Sequence, residues 1–189
     1  MKALSSMFAL FVVLLLGYIG YSFIVKPPKV ELKPWDDPAV SAIEMNVDIN
    51  FDAPVVERQD IYIKADRREI WQKIAHVNDW PIWQSSVTSA ELTSAPAEKT
   101  EFHWAAGWIK FRSRFHTLKK FSAIGWTGTT YGTDAVHNWR LEPKGDGCMV
   151  YVEESLDGWL PLLMTSNFRE ELNSGMKKNL QELKAACEK

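Results

Sequence analysis

Cysteine and histidine are scarce in this chain. Two Cys and four His among 189 residues show no metal-ligand spacing and leave no disulfide framework to build on. No G-x-S-x-G, P-loop, G-x-G-x-x-G or H-E-x-x-H is present, so the common signatures of serine hydrolases, nucleotide binders and zinc proteases are missing. Neither sign of charge dominates, with 22 Lys plus Arg against 24 Asp plus Glu, and no basic excess draws the protein to nucleic acid. No metal and no cofactor is expected. No internal repeat or low-complexity tract divides the chain, which is long enough for one ordinary domain.

Aromatic residues and one long apolar run are what the chain does have. Nine Trp and nine Phe imply a large core or an aromatic-lined cavity, and composition does not separate the two. Residues 7–25, MFALFVVLLLGYIGYSFIV, form 19 positions without a charge, close to the roughly 20 that cross a bilayer as a helix. The run exceeds the apolar core of a signal peptide and ends on bulky Phe23, Ile24 and Val25, which favours an uncleaved transmembrane anchor over 1–25. Lysines on both sides leave its orientation open. Residues 26–54 carry Pro27, Pro28, Pro34, Pro38 and Pro54, a composition read as a stiff Pro-rich spacer.

The folded domain is expected over 55–189. VVERQDIYIKA from Val55 reads as a strand. Asp66 with Glu69 forms a capping-box pattern ahead of Ile70, Trp71, Ile74 and Val77 at helical spacing, which predicts a helix over 67–77 ended by Asn78-Asp79-Trp80-Pro81. Period two then takes over in runs near 86–93, 100–106, 109–119, 123–131, 135–142 and 148–156, whose short connections make them antiparallel. Along one of them Ile109, Phe111, Ser113, Phe115 and Thr117 alternate with Lys110, Arg112, Arg114 and His116. From 163 to 187 the period is helical again, with Phe168, Leu172, Met176, Leu180, Leu183 and Cys187 in one stripe. The order predicts an α+β fold in which a curved antiparallel sheet wraps a long C-terminal helix.

Val56-Glu57-Arg58, Ile61, Ile63, Ala65, Ile70-Trp71, Asn78-Asp79-Trp80-Pro81-Ile82-Trp83, Trp139-Arg140-Leu141-Glu142-Pro143 and Glu153-Glu154-Ser155 together resemble the START-like (SRPBCC) superfamily. More narrowly they resemble its bacterial polyketide cyclase/dehydrase branch, in which a leading membrane segment is common. The resemblance covers about 56–187. It implies the helix-grip fold and a hydrophobic cavity between sheet and terminal helix, and it places a single-pass chain in the bacterial inner membrane. Members bind lipids, sterols, aromatic polyketides or hormones, and a minority are enzymes. The partners it implies are therefore a hydrophobic small molecule and, through the first helix, the lipid bilayer.

Candidate site residues follow from strand faces. Trp104, Trp108, Phe115, Trp126, Tyr131 and Trp139, with Phe168, Leu172 and Met176 from the helix stripe, either line a ligand cavity or pack an ordinary core. Gly175 either leaves space in the helix or allows a close approach there, and Trp159-Leu160-Pro161-Leu162-Leu163 is either an apolar lip or a buried connection. The Lys110, Arg112, Arg114, His116 and Lys120 stripe reads as a solvated outer face in preference to a headgroup site. Cys148 and Cys187 approach one another without a disulfide being favoured.

The sharpest expectation is a pair. Ala135, His137, Trp139 and Leu141 share the drier face of one strand, with Val136, Asn138, Arg140 and Glu142 on the wetter one. A Lys144–Gly147 hairpin loop then opposes Pro143 to Cys148, Leu141 to Val150, Trp139 to Val152 and His137 to Glu154. An inward carboxylate needs a partner, and the imidazole supplies one. The pair is either a general acid/base couple, a polar anchor for a ligand, or a rim pair at the sheet edge. Two functions stay open: a membrane-anchored carrier or binding protein for a hydrophobic ligand, and a cyclase/dehydratase-type enzyme acting on one.

Overall fold

The computed structural model describes Trp35 and residues 38–188. The expected membrane helix at 7–25 and the first part of the spacer lie outside the described residues. Among the described residues, no helix is long and apolar enough to cross a membrane.

A short helix α1 (Pro38–Ser41) precedes β1 (Val55–Ile63). Then come α2 (Arg67–Ala75), a 3-10 turn (Val77–Asp79), α3 (Trp80–Trp83) and the strands β2 (Val87–Glu91), β3 (Glu101–Ala106), β4 (Ile109–Lys119), β5 (Ala123–Thr130), β6 (Thr133–Lys144) and β7 (Gly147–Asp157). Helices α4 (Trp159–Leu163) and α5 (Thr165–Cys187) finish the chain. The seven strands form one antiparallel sheet in the order β1-β7-β6-β5-β4-β3-β2, so β1 leaves the meander and closes onto its last strand. This curved sheet with its long terminal helix is the helix-grip arrangement.

Local chemistry explains the element ends. The Asp66 carboxylate accepts from the Arg68 amide at 2.7 Å and caps α2, satisfying one of the donors a helix start leaves open. The long helix expected over 163–187 is α5, and the short α4 is set off from it by a break at Met164. The Thr165 hydroxyl donates to the carbonyl of Pro161 at 2.9 Å and bridges the break. In β4 the pairing with β5 shifts between Phe115 and Thr117. This bulge adds a residue and reverses the faces beyond it. Thr117, expected beside Phe115, therefore points outward and accepts from the Asn46 amide at 2.9 Å, while Leu118 takes the inward place.

Residues 38–53, expected within a stiff Pro-rich spacer, are instead a strap across the outer face of the sheet. Val40, Met45 and Ile49 are buried in it. Arg140 Nε donates to the Ile43 carbonyl at 2.9 Å, Asn138 Nδ2 to the Val47 carbonyl at 3.0 Å, and the Asn50 amide to Ser155 Oγ at 3.0 Å. Gly125 permits the approach, since a β-carbon there would fall 2.4 Å from His116 and 2.7 Å from Met45. The face expected to be wetter is consequently buried under the strap: Asn138 is fully covered and Arg140 nearly so.

The strap seals in a three-membered charge cluster. Glu153, 2 % exposed, receives Arg58 Nε at 2.9 Å on one oxygen and Arg140 Nη1 at 2.5 Å on the other. Arg58 also lies over the rings of Trp35 and Phe51 at 5.0 and 5.1 Å. Burial pulls the Arg58 pKa down, and the attraction of Glu153 works against that fall. Removing the one carboxylate leaves two arginines facing each other in a dry layer. Glu153→Ala is accordingly expected to lower the unfolding free energy by about 3–5 kcal/mol, read from denaturant melts, whereas substitution of exposed Glu44 leaves it within about 0.5 kcal/mol.

Burial beneath the strap also pushes His116 down to about 4, against the opposing pull of Glu98 and Asp48. As pH falls, the unfolded chain takes up this proton near its ordinary value of about 6.5 and the folded chain only near 4. The contribution of neutral His116 is thus complete above about 6.5 and drains away down to about 4. In His116→Gln the slope of stability against pH across that window is expected to flatten, measured by urea melts at successive pH values.

Candidate functional site

A cavity of about 760 Å³ lies between the inner face of the sheet and the terminal helices. Its origin is visible along α5. Met176, Leu180, Leu183 and Cys187 are buried against the core, whereas Phe168 and Leu172, in the same stripe, are only half-buried and line the cavity. The C-terminal half of the helix grips the sheet and the N-terminal half stands away from it. Gly175 sits at the changeover, and a β-carbon built there meets nothing within 4 Å.

The floor is an aromatic cluster. Trp80 packs edge-on to Phe102 at 5.5 Å and Trp104 at 5.9 Å, and tilted to Trp126 at 5.4 Å. Its indole N–H donates to the Ile74 carbonyl at 2.9 Å. Trp104 stacks on Phe111 at 4.1 Å, and its N–H donates to Ser113 Oγ at 3.1 Å. Trp80 and Trp104 thus present apolar surface to the cavity with their polar edges satisfied, whereas the indole N–H groups of Trp83 and Trp139 are buried without a partner among the described residues.

Ten of the eleven expected lining residues are there: Trp104, Trp108, Trp126, Tyr131, His137, Trp139, Glu154, Phe168, Leu172 and Met176. Phe115 is the exception. It is fully buried between Phe102, at 4.7 Å, and Trp126, at 6.3 Å, and belongs to the packed core beneath the cavity. Trp108 and Tyr131 line it only at its mouth, being largely exposed. Leu160 lines it from α4.

His137 and Glu154 face each other in the expected register, with Trp139 opposite Val152 and Pro143 opposite Cys148. His137 Nδ1 and Glu154 Oε2 are 2.6 Å apart, and both side chains are 14 % exposed. The imidazole lies parallel to Trp126 at 4.6 Å and tilted against Trp139 at 5.4 Å, so two aromatic neighbours restrict its ring plane. With Nδ1–H donating to the carboxylate, Nε2 is the acceptor nitrogen. It is buried and has no partner among the described residues. Across β1, Glu57 stands opposite Glu154 and takes the Asn173 amide of α5 at 2.9 Å. Each of the two neighbouring carboxylates thus has its own donor, which limits the repulsion between them.

A second polar pole was not foreseen. Asn179 Nδ2 donates to Gln84 Oε1 at 2.7 Å, both residues line the cavity, and Asn179 Oδ1 is buried without a partner among the described residues. Helical spacing carried a signal for it, since Leu172, Gly175, Met176 and Asn179 recur three and four apart along one face. Trp80, Trp83 and Thr133 also line the cavity and were not singled out beforehand.

Other candidates lie elsewhere. Lys110 lines the cavity, Arg114 pairs with Glu101 on the outer face, Lys120 lies over Phe121, and His116 is covered by the strap, so the basic stripe is divided among several surroundings. Cys148 and Cys187 are buried thiols, and burial pushes Cys148 up to about 12. Among the described residues, no group of three or more His, Cys, Asp or Glu is placed to hold a metal ion.

A helix-grip sheet closed over an apolar cavity defines a START-like domain. The chain belongs to the polyketide cyclase / dehydrase and lipid transport family, which matches residues 55–188. Among solved structures, a hypothetical protein of Helicobacter pylori is similar at TM-score 0.64 and 14 % identity, over 85 % of this chain and 99 % of that one. The di-domain aromatase/cyclase StfQ of the steffimycin biosynthetic pathway is similar at 0.62 and 14 %, over 70 % of this chain and 50 % of that one. A START superfamily protein of Mycobacterium smegmatis is similar at 0.61 and 10 %, over 70 % and 96 %. At such identities the likeness is one of fold. No curated protein matches the sequence.

Gly175 offers a direct test of whether the space is used. Gly175→Ala is expected to raise stability by up to about 1 kcal/mol through helix propensity while keeping uptake of a hydrophobic dye such as anilinonaphthalene sulfonate. Gly175→Phe fills the cavity and is expected to lower dye affinity by roughly tenfold or more, measured by fluorescence titration.

Proposed function

We propose that this protein is a membrane-tethered binding or carrier protein for a hydrophobic small molecule held between the sheet and the N-terminal half of α5. The cavity carries this reading: about 760 Å³ of mostly apolar lining with a few orienting polar groups is the usual form of a small-molecule site. The uncharged run 7–25 supports the tether, and family membership supports the ligand class. The His137–Glu154 pair then orients the ligand, with Nε2 accepting from a hydroxyl and the two tryptophans framing its ring.

A second reading, cyclase or dehydratase chemistry on such a ligand, is favoured by one observation. An imidazole held by a carboxylate at 2.6 Å, with its other nitrogen unpartnered, is the arrangement of a general base whose orientation and developing charge are supported. Nε2 would take a proton from an acidic C–H or O–H and return it to a departing or accepting oxygen, and Glu154 would stabilise the imidazolium between those steps.

Native mass spectrometry of full-length protein purified in detergent from its own host is expected to show a co-purifying hydrophobic molecule. In His137→Ala and Glu154→Gln that molecule is expected to bind about tenfold more weakly, the loss of one buried hydrogen bond, with the melting curve close to wild type. Full retention of affinity in both variants would leave the pair structural. Unchanged binding together with lost conversion of the ligand would select the enzymatic reading.

A further inference from the structure

Large apolar side chains stand in water at the end of the sheet where the cavity opens, Trp108 and Tyr131 at its mouth and Ile82 and Trp159 beside the lining residues Trp83 and Leu160. Trp108 is 89 % exposed, Ile82 81 %, Tyr131 79 % and Trp159 53 %. They come from four places in the chain: the β3–β4 turn, α3, the β5–β6 turn and the start of α4. Sheet register gathers all four at one end, because Val87 pairs with Ala106, Arg112 with Thr129, Thr130 with Thr133 and Asp134 with Asp157. Trp159 packs edge-on to Tyr131 at 5.5 Å and against Gly132, whose φ of +66° makes the tight turn. The α4 helix is tied to the same turn by the Leu160 amide, which donates to the Gly132 carbonyl at 3.2 Å.

Single exposed apolar residues need no explanation, but a group around an opening marks a contact surface. The opposite end of the sheet differs in kind. Its connections hold Lys64, Lys120, Lys144 and Asp146, with Lys64 paired to Asp146 at 3.1 Å. Charges occur at both ends, but the group of exposed Trp, Tyr and Ile side chains stands at the end where the cavity opens.

We infer that the rim of Ile82, Trp108, Tyr131 and Trp159 docks into a lipid bilayer, so that the cavity opens into the membrane and its ligand passes without crossing water. Tryptophan and tyrosine are the side chains that settle at a bilayer interface, with an apolar body and a polar edge. Trp108 and Tyr131 stand at the opening with Ile82 and Trp159 beside it, all on separate elements, whereas a stable protein partner needs a continuous face of about 800 Å². The tether permits the pose. Nine residues separate Val25 from Trp35 and reach at most about 35 Å. Trp35 packs on Tyr151 at 5.0 Å, and Asp60, paired with Tyr151, lies roughly 17 Å along β1 from its rim end. Charges near the rim are of both signs, with Lys110 against Asp134, Asp157 and Glu171, so apolar burial drives the docking. This inference rests on the membrane reading of residues 7–25 for its geometry.

The test uses the full chain. Trp108→Cys, Tyr131→Cys and, at the far end, Lys144→Cys are each labelled with an environment-sensitive nitrobenzoxadiazole probe, Cys148 and Cys187 being buried. The proteins are placed in phosphatidylethanolamine–phosphatidylglycerol vesicles containing doxyl-labelled lipid. Probes at 108 and 131 are expected to shift blue and lose roughly half or more of their emission to the quencher, in low and high salt alike, as for side chains seated at the acyl boundary. The probe at 144 is expected to be unaffected. Hydrogen exchange on the unsubstituted chain, in vesicles and in detergent, repeats the test without a variant and is expected to show protection of the 106–110 and 130–133 turns in vesicles. Rim probes that stay unquenched in protein resistant to carbonate extraction overturn the docking and leave the anchor standing. Quenching at 144 instead, or quenching abolished by salt, overturns it in favour of a charge-driven pose, and rim protection that needs no lipid overturns it in favour of a protein partner. Loss of the chain on carbonate extraction with the rim still quenched removes the anchor and keeps the docking; loss of both signals removes both.

Discussion

One helix cannot cover a seven-stranded sheet. Strands about 4.8 Å apart make the sheet roughly 29 Å from first to last, and a helix with its side chains is about 10 Å across. Here α2 and the C-terminal half of α5 close one end of the inner face, and α3 with its tryptophans closes the β2 edge. What remains uncovered is the middle, over β4 to β7 near the turns, and it cannot be filled by longer side chains from a helix that has moved off. The cavity follows from this shortage of cover. So does the aromatic content, because Trp and Phe are the side chains that narrow a wide gap with the fewest residues.

The inner face was legible in the sequence to the level of single pairs. Face parity fixed the β6–β7 register, since every apolar residue on one strand had to meet one on the other, and the short hairpin, closed by the Lys144–Gly147 pair around Gly145-Asp146, allowed only one such match. Helical spacing likewise gave the α5 stripe. It did not show where along that stripe the helix leaves the sheet, because Phe168 and Leu180 are equally apolar and only their distance from the sheet differs. Phe115 was misplaced for a similar reason: alternation gives the face of a residue but not its depth, and Phe115 lies where Phe102 and Trp126 already fill the space.

The outer face misled because its burial is polar. Asn138, Arg140, Glu153 and Ser155 read as residues for water, and a strand carrying them alternates as a one-sided sheet does. Yet they are covered, each by a partner as polar as itself. The strap supplies backbone carbonyls to Arg140 and Asn138 and a backbone amide to Ser155. Its buried apolar residues are Val40, Met45 and Ile49, spaced too irregularly to announce an element. Proline at 34 and 38 looked like a spacer because proline excludes a strand or a long helix. It does not exclude an irregular chain laid across a sheet, whose backbone groups need side-chain partners in place of a ladder.

The two faces are not independent. His137 and Glu154 alternate in the same two strands with Asn138, Arg140 and Glu153, so one register sets both. A slip of one residue in β7 would send Glu153 into the cavity and Glu154 under the strap. The carboxylate that now sits between Arg58 and Arg140 would then face tryptophans, and the arginines would lose their counter-charge in a dry layer. Purely apolar inner pairs resist such a slip with only a few kcal/mol spread over several contacts. The outer cluster concentrates the penalty at one residue. A buried ion pair adds little net stability compared with apolar groups of the same shape, but it discriminates sharply between registers. On that reasoning the strap, which keeps water from Glu153, also holds His137 Nδ1 within reach of Glu154, and the chemistry available in the cavity depends on a segment that never enters it.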